Sequence, residues 1–462
     1  MLRLLQLHWS GRKLIFYVAE AGLKLSALFL GERLLILWGA IHPLQSLFMQ
    51  GMILVLFVDL VFYYNDLYKE FVPVLDRGYF VRLLRGFALS GILCFVLSRF
   101  FPHLLPPQGL LFVSLVLMIP LVFGWRAAFD RILGRMGVRE KILVVGTGRM
   151  AQKAAIDLLK RRDLGYKLIG FLDERPERVG IRLVNPSIIG TYSDLNAIVL
   201  RENVQRVVVA VPQRRGTLPV TDLLELRVKG VKVIAGEDFY EQISGKVFVE
   251  DLHPSDLIFG EGFKKSPLTK LLKRLTGVGI SLCILFFTFP LILLIAVLIK
   301  LDSNGPIFYR QERVGEGGKP FVLLKFRSMR RGAEEATGPV WAGQADPRVT
   351  LVGSILRKTR LDELPQVLNV LKGDMSFVGP RPERPFFVER LGNEIPYYYL
   401  RSSLKPGITG WAQIRYSYGA SVADAREKLE YDLYYVKNMS LFFDLFIIFE
   451  TVKVVLFGKG AR

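Results

Sequence analysis

Four apolar runs open the chain, near Leu14–Leu30, Leu44–Tyr64, Leu83–Phe101 and Gly109–Gly124. Each is close to the ~20 residues a helix needs to span a bilayer. Residues 1–136 are therefore expected to form a four-helix transmembrane region. The first run carries Glu20 and Lys24, whose i,i+4 spacing predicts a pair on one helix face and a strained span rather than a surface helix. Asp59 in the second run is expected to make a buried polar contact. Met1–Arg12 lacks an apolar core followed by a small-residue cleavage site, so no secretory signal is expected. Charge orients the runs. Arg3, Arg12 and Lys13 precede the first, Lys69, Arg77 and Arg82 separate the second and third, and Arg126, Arg131, Arg135 and Arg139 follow the fourth. Of Arg and Lys, the alternate loops, Gly31–Pro43 and Pro102–Gln108, hold only Arg33 and no Lys. The positive-inside rule then predicts a cytoplasmic N-terminus and a cytoplasmic chain after Arg126.

The texture changes at about Glu140. KILVVGTGRMAQKAAIDLLKRR reads strand, Gly-rich turn, helix; KLIGFLDE and VQRVVVAVP read as further strands. Repeated βαβ units predict a Rossmann-like parallel-sheet domain over residues 137–250. Gly146 and Gly148, with Ala151 and Asp173, loosely fit a dinucleotide fingerprint, which makes Gly146, Gly148 and Asp173 candidate nucleotide-binding residues. A tight strand-to-helix turn needs the same glycines without any ligand. A polar, Gly-containing linker, residues 251–265, follows.

Next comes LTKLLKRLTGVGISLCILFFTFPLILLIAVLIK, long enough to span but basic at both flanks, with Lys270, Lys273 and Arg274 before it and Lys300 after it. Pro290 lies mid-run, where it is expected to break or kink a helix. A re-entrant membrane helix over about residues 275–300 keeps both flanks on one face; a straight span would put Asp362 outside the cell. The tail, MSLFFDLFIIFETVKVVLF, carries Asp444, Glu450 and Lys453 and suits an interfacial helix better than a span.

The chemistry concentrates in RKTRLDELPQVLNVLKGDMSFVGPRPE, Arg357–Glu383, where Asp362 and Glu363 stand among Arg357, Lys358, Arg360, Lys372 and Arg381. Apolar spacing predicts a helix over Asp362–Lys372, N-capped by Asp362, with Pro365 in its first turn and Gly373 at its end. Carboxylates at a helix N-terminus sit where a phosphate also binds well, although the same pattern serves a plain cap in a solvated charge cluster. Upstream, Lys325 and Arg327 alternate with Phe326 in strand fashion, which predicts that both face one side. The histidines are His8, His42, His103 and His253, and the cysteines are Cys94 and Cys283. Chemistry beyond His253 must therefore use carboxylates, Lys, Arg, Tyr, Ser, the apolar-run Cys283 or a metal. With 62 Lys+Arg against 42 Asp+Glu, the net charge of +20 suits anionic lipid or phosphate handling. No recognition helix or aromatic–basic RNA motif appears, so nucleic acid is not expected as a partner.

From about Ser266 onward the chain resembles the bacterial sugar transferases, the monotopic polyprenyl-phosphate hexose-1-phosphate transferases. The matching stretches are GPIFYRQERVG, GKPFVLLKFRSM, RLDELPQVLNVLKGDMSFVGPRPE and KPGITGWAQ, in that order. The N-terminal helices and Rossmann-like middle resemble the long-form members, and YYNDLY at Tyr63–Tyr68 resembles those linked to exopolysaccharide synthesis. The resemblance implies an α+β catalytic domain over residues 266–462. It implies transfer of a hexose-1-phosphate from a UDP-sugar to undecaprenyl phosphate, with UMP release and an aspartyl-phosphosugar intermediate. Asp362 matches the nucleophile, Glu363 its metal-handling partner for Mg2+, and Arg357 an arginine assigned to lipid or sugar phosphate. Lys325, Arg327 and Arg381 are implied phosphate contacts. A homodimer and a multi-pass location in the bacterial inner membrane, catalytic domain on the cytoplasmic face, are implied as well. The chain departs from the family pattern at Thr276–Gly277, where an Asp often stands, and at Phe289–Pro290, often Ser-Pro. Two other readings compete. An NAD-dependent nucleotide-sugar dehydratase or epimerase would need a Tyr-x-x-x-Lys pair, and no tyrosine has Lys four residues on. A membrane scaffold or regulator of polysaccharide assembly would have no need of the Asp362–Glu363 cluster.

Overall fold

The computed structural model describes residues 11–40, 47–68, 77–136, 140–161, 164–211, 218–252, 254–259, 262, 263, 265–330, 332, 348–416, 419 and 421–456. Of the residues used above, Arg3, His8, His42, Lys69, Arg139 and His253 lie outside the described residues.

The N-terminal region is four packed helices: α1 (Gly11–Leu37), α2 (Leu47–Tyr64), α3 (Arg77–Phe100) and α4 (Gln108–Met136). Among the described residues, three stretches here are long and apolar enough to cross a membrane, Leu47–Tyr64, Gly78–Phe100 and Gln108–Arg131. α1 is not among them, and its polar side chains explain why it still belongs to the bundle. Lys24 donates to Glu20 at 2.8 Å, to Tyr68 at 3.0 Å and to Asp59, and Arg126 grips Glu20 at 2.7 and 2.8 Å. Glu20, Lys24 and Arg126 are all buried. Apolar solvent cannot pay for isolated charges, so the ions are neutralised against one another at the centre of the bundle. The expected Glu20–Lys24 pair and the polar contact of Asp59 are both present.

The middle domain is a five-stranded parallel sheet in the order β3-β2-β1-β4-β5: β1 (Glu140–Val145), β2 (Tyr166–Asp173), β3 (Ile188–Thr191), β4 (Arg206–Val209) and β5 (Lys232–Ala235). The helices α5 (Arg149–Lys160), α6 (Leu195–Glu202), α7 (Val220–Val228) and α8 (Gly236–Ser244) flank it. Val-rich strands are buried on both faces, in two separate apolar clusters, as a doubly wound sheet requires. After α9 (Pro254–Phe259) comes α10 (Pro267–Asp302), the fourth stretch apolar enough to cross a membrane. Of the break or kink expected at Pro290, the break is absent: the helix continues through Pro290. At 1.5 Å per residue it is about 54 Å along its path, against a hydrocarbon core of ~30 Å.

Both ends of α10 nevertheless pack on one domain. Near its start, Arg274 donates to the Leu371 carbonyl at 2.8 Å and to that of Val370. Near its end, Ile295 and Ile299 are buried with Phe326 and Leu356, and the half-buried Leu361 and Leu364 pack against them. Between them Phe286, Phe287 and Phe289 are exposed. A helix whose two ends return to residues 361–372 while its middle presents bare aromatics has the arrangement of a re-entrant element.

The rest of that domain is α+β. The antiparallel hairpin β6 (Phe308–Val314) and β7 (Pro320–Phe326) is followed by α11 (Leu351–Lys358), α12 (Gln366–Lys372), β8 (Ser376–Val378), α13 (Pro385–Glu394), β9 (Gly407–Thr409), α14 (Trp411–Arg415), α15 (Val422–Asn438) and α16 (Leu441–Leu456). The core gathers Trp411, Tyr434, Tyr435, Phe443 and Ile447. The middle domain docks here through Trp411 Nε1 donating to Gly245 O at 2.8 Å and Lys437 to Glu241 at 2.7 Å. The described part of the tail, the 16-residue α16, is itself shorter than a ~30 Å core, and it packs on this domain with Phe443 and Ile447 buried.

Candidate active site

Asp362 and Glu363 lie in a 3-10 turn, Leu361–Glu363, between α11 and α12. The expected single helix with Asp362 as its cap is corrected here: α12 begins at Gln366 and the residue before it is Pro365. Pro365 has no N–H to continue a ladder from residue 361, so the preceding residues close a tighter turn. The turn is entered through Arg360 in the left-handed region, φ 57°. For a side chain with a Cβ that costs of order 1–3 kcal/mol, held by the surrounding packing. Gly373, φ 101°, ends α12 as expected.

The polar ring is narrower than its sequence. Lys325 Nζ lies 2.8 Å from Glu363 Oε1 and 3.8 Å from Asp362 Oδ2. Arg381 Nη2 donates to Glu363 Oε1 at 2.8 Å. Both bonds use Oε1, leaving Oε2 outside them. Arg357 turns its Nε to Ser328 Oγ at 3.0 Å, and its charge still acts on Asp362. Lys372 is solvent-exposed and pairs with Asp374 at 3.0 Å, away from the ring. Arg327 does not share the side of Lys325: it is buried and donates to Ser303 O at 2.6 Å and Ile299 O at 3.2 Å, capping the end of α10. β7 stops at Phe326, so the strand alternation that would align the two cations no longer applies.

The two adjacent carboxylates are driven apart. Burial pushes Glu363 up, but the charges and hydrogen bonds of Arg381 and Lys325 outweigh it and hold Glu363 well below the usual carboxylate range. Burial raises Asp362, and the neighbouring Glu363 charge adds to this; Lys325, Arg357 and Arg381 only partly oppose it, so Asp362 stays above its ordinary value. The site therefore combines a fixed anion with a poorly solvated carboxyl that Lys325 reaches only at long range.

Three supporting residues escaped the sequence reading. Asn369, buried on α12, accepts from Leu324 N at 3.0 Å and donates to Val322 O at 2.7 Å, fixing β7 so that Lys325 faces Glu363. A lone amide in the apolar run VLNVL was its only signal. Arg401, also buried, donates to Arg381 O at 3.0 Å while paired to Asp432 at 2.8 Å. Ser328 holds Arg357 as described.

In the middle domain, Gly146 has φ 107°, and a Cβ there would lie 2.4 Å from Ala210 O, so the turn itself demands glycine. Gly148 precedes α5. Asp173 is buried and accepts from Thr147 Oγ1, from Arg175 N at 3.0 Å and from Arg178 Nη1 at 2.7 Å. Burial pushes its carboxyl up, but these donors outweigh it and hold it below its ordinary value.

Comparison with known proteins fits this architecture. The model of the bacterial sugar transferase family matches residues 268–458, and that of an oxidoreductase family with an NAD-binding Rossmann fold matches residues 140–234. A UDP-galactose-lipid carrier transferase of Erwinia amylovora is 30% identical over 365 residues, 74% of this chain and 73% of its own length. The chain belongs to the bacterial sugar transferase family. A second family member, an undecaprenyl-phosphate glucose phosphotransferase of Komagataeibacter xylinus, is 31% identical over 77% of this chain and 66% of its own. A UDP-N-acetylgalactosamine-undecaprenyl-phosphate N-acetylgalactosaminephosphotransferase of Aeromonas hydrophila is 45% identical over 222 residues, and there the match spans about half of each chain, 48% and 52%. The sugar transferase match covers the re-entrant helix and every member of the carboxylate ring.

Proposed function

We propose that this family member transfers a hexose-1-phosphate from a UDP-sugar to undecaprenyl phosphate, as the names of its relatives suggest, and so initiates exopolysaccharide synthesis. The observation that carries the reading is Asp362, a buried carboxyl with a raised pKa beside an ionised Glu363, at the foot of a re-entrant apolar helix. An Asp362 oxygen attacks the β-phosphorus of the donor. The bond to the oxygen bridging the two phosphates breaks, its electron pair leaves with UMP, and an acyl phosphate remains. A phosphate oxygen of the lipid then attacks the same phosphorus and returns the carboxylate of Asp362. A desolvated carboxylate is the better nucleophile, and an acyl phosphate is labile enough to pass the group on.

The developing charge on the diphosphate falls among Lys325, Arg357 and Arg381. Lys325 and Arg381 also hold Glu363 in place. Mg2+ fits a site of this kind, since Asp362 and the Oε2 of Glu363 offer carboxylate oxygens and a diphosphate offers the rest; when bound it neutralises phosphate charge. The basic flanks of α10 and of the N-terminal helices support a catalytic domain on the cytoplasmic face of the bacterial inner membrane. A homodimer is the expected assembly on the long-form likeness, checked by light scattering of the detergent-solubilised chain. The reading is tested by UMP release from a panel of UDP-sugars with purified protein, Mg2+ and undecaprenyl phosphate. One donor should give UMP with the natural chain and not with Asp362→Asn. Equal release by Asp362→Asn removes the nucleophile.

A further inference from the structure

The tail helix α16 carries two side chains that the proposed reaction does not use, Glu450 and Lys453. Both reach the end of a membrane helix. Tyr63, in the last turn of α2, donates its hydroxyl to Glu450, and its ring lies 5.1 Å from that of Phe449. Lys453 is buried, donates to Tyr63 O at 2.9 Å and pairs with Asp66. Its ammonium also stands 4.9 Å from the centre of the Tyr63 ring. Asp66 takes φ 60°, a left-handed turn that points the chain out of α2. A buried ammonium held by a carboxylate, a carbonyl and an aromatic face is a built contact, costly to break from either side.

Between those two residues, Thr451 shares a hydrogen bond of 2.7 Å with Thr409 on β9. β9 is paired with β8, and Gly379 N donates to Thr409 O at 2.9 Å. The backbones there nearly touch: a Cβ on Gly407 would lie 2.1 Å from Gly379 N, and one on Gly410 would lie 2.1 Å from Gly379 O. Two residues beyond Gly379 stands Arg381, the guanidinium that holds Glu363. Hydrogen bonds joined by short stretches of backbone thus link the end of α2 to Arg381, which grips Glu363.

We propose that Lys453, with Asp66, is a positioning pair: it locks the end of the second membrane helix to α16, and α16 in turn fixes the Gly379–Arg381 backbone and the grip of Arg381 on Glu363. The inference rests on the transferase reading of Asp362 and Glu363. It gives the N-terminal bundle a share in the active site that anchoring alone would not.

The test uses the full chain in lipid nanodiscs, with Lys453→Met, Asp66→Asn and the double variant. Lys437→Met, at the unrelated Lys437–Glu241 contact, serves as the packing control. Hydrogen exchange is followed in the segment 376–383, and the Mg2+ concentration for half-maximal UMP release is measured in parallel. Each single variant should speed exchange at Gly379 and raise the Mg2+ half-point about fivefold or more. The double variant should do no worse than the worse single one, since both remove one interaction. Lys437→Met should move neither readout. Unchanged exchange in segment 376–383 for both single variants overturns the proposal, as does faster exchange with an unmoved Mg2+ half-point. If the natural chain releases no UMP with any donor, the transferase reading fails on its own, and exchange still decides whether the pair holds the loop.

Discussion

Asp173 and Asp362 invite comparison. Each is a buried aspartate at a turn near the end of a regular element, with arginines close by. Asp173 is saturated by Thr147, the Arg175 N–H and Arg178, and its pKa is lowered. Asp362 has Lys325 at 3.8 Å, an ionised carboxylate next to it in sequence, and a raised pKa. The same residue types therefore build a finished contact in one domain and an unfinished one in the other. Counting charges in a motif does not separate these cases; what separates them is whether the carboxylate's lone pairs are already taken.

The same substitution made at both aspartates should have different consequences. Asp362→Asn should lower UMP release by about 10³-fold or more, the range seen when a covalent nucleophile is removed. Asp173→Asn should leave release unchanged; a matching loss would erase the distinction. Next in size, Arg381→Ala should cut release about 10²-fold, because it frees Glu363 and removes a cation from the diphosphate at one stroke. EDTA should stop turnover and added Mg2+ restore it; metal-independent turnover would remove Glu363 from its metal-handling role.

Stability supplies a smaller test with opposite signs. A carboxyl whose folded pKa is raised adds stability below its unfolded value and loses it as pH rises through the folded one. Ionised Asp362 therefore costs stability at neutral pH, and Asp362→Asn should raise the melting temperature of the catalytic domain by about 2 °C or more. Asp173 is lowered, so its contribution is present above its unfolded value of about 3.9 and lost as pH falls through the folded one. Asp173→Asn should therefore destabilise the middle domain by about 1–2 kcal/mol at neutral pH. Shifts of the same sign would contradict the contrast. The least disruptive check is the pH profile of UMP release. Its acid limb should lie above the ordinary aspartate range and vanish in no variant that keeps Asp362.

Much of this was legible in the sequence, for reasons that differ by region. Repeated βαβ units and Gly146 announced the parallel sheet, because periodicity and backbone strain are local. The pairing of Glu20 with Lys24 was legible for the same reason. The basic flanks of α10 foretold that its two ends would be held together, and both pack on one domain although the helix continues through Pro290. The cluster of Lys325, Arg381, Asp362 and Glu363 was visible as a set of charges. The desertion of Arg327 to the end of α10, and of Lys372 to Asp374, was not. Those outcomes depend on where strands and helices stop, which is set by packing across the domain. Asn369 and Arg401 were missed, and Lys453 was named without its partner, because those partners lie 47, 20 and 387 residues away.

If the proposed reaction holds, Asp362 carries the phosphosugar between the two transfers. Incubating the chain with its UDP-sugar and Mg2+ in the absence of undecaprenyl phosphate, then quenching and mapping peptides by mass spectrometry, reads this directly. A sugar-phosphate adduct is expected on the peptide containing Asp362, discharged by adding the lipid phosphate and missing in Asp362→Asn. UMP release with no adduct on that peptide, or an adduct that persists in Asp362→Asn, would contradict it.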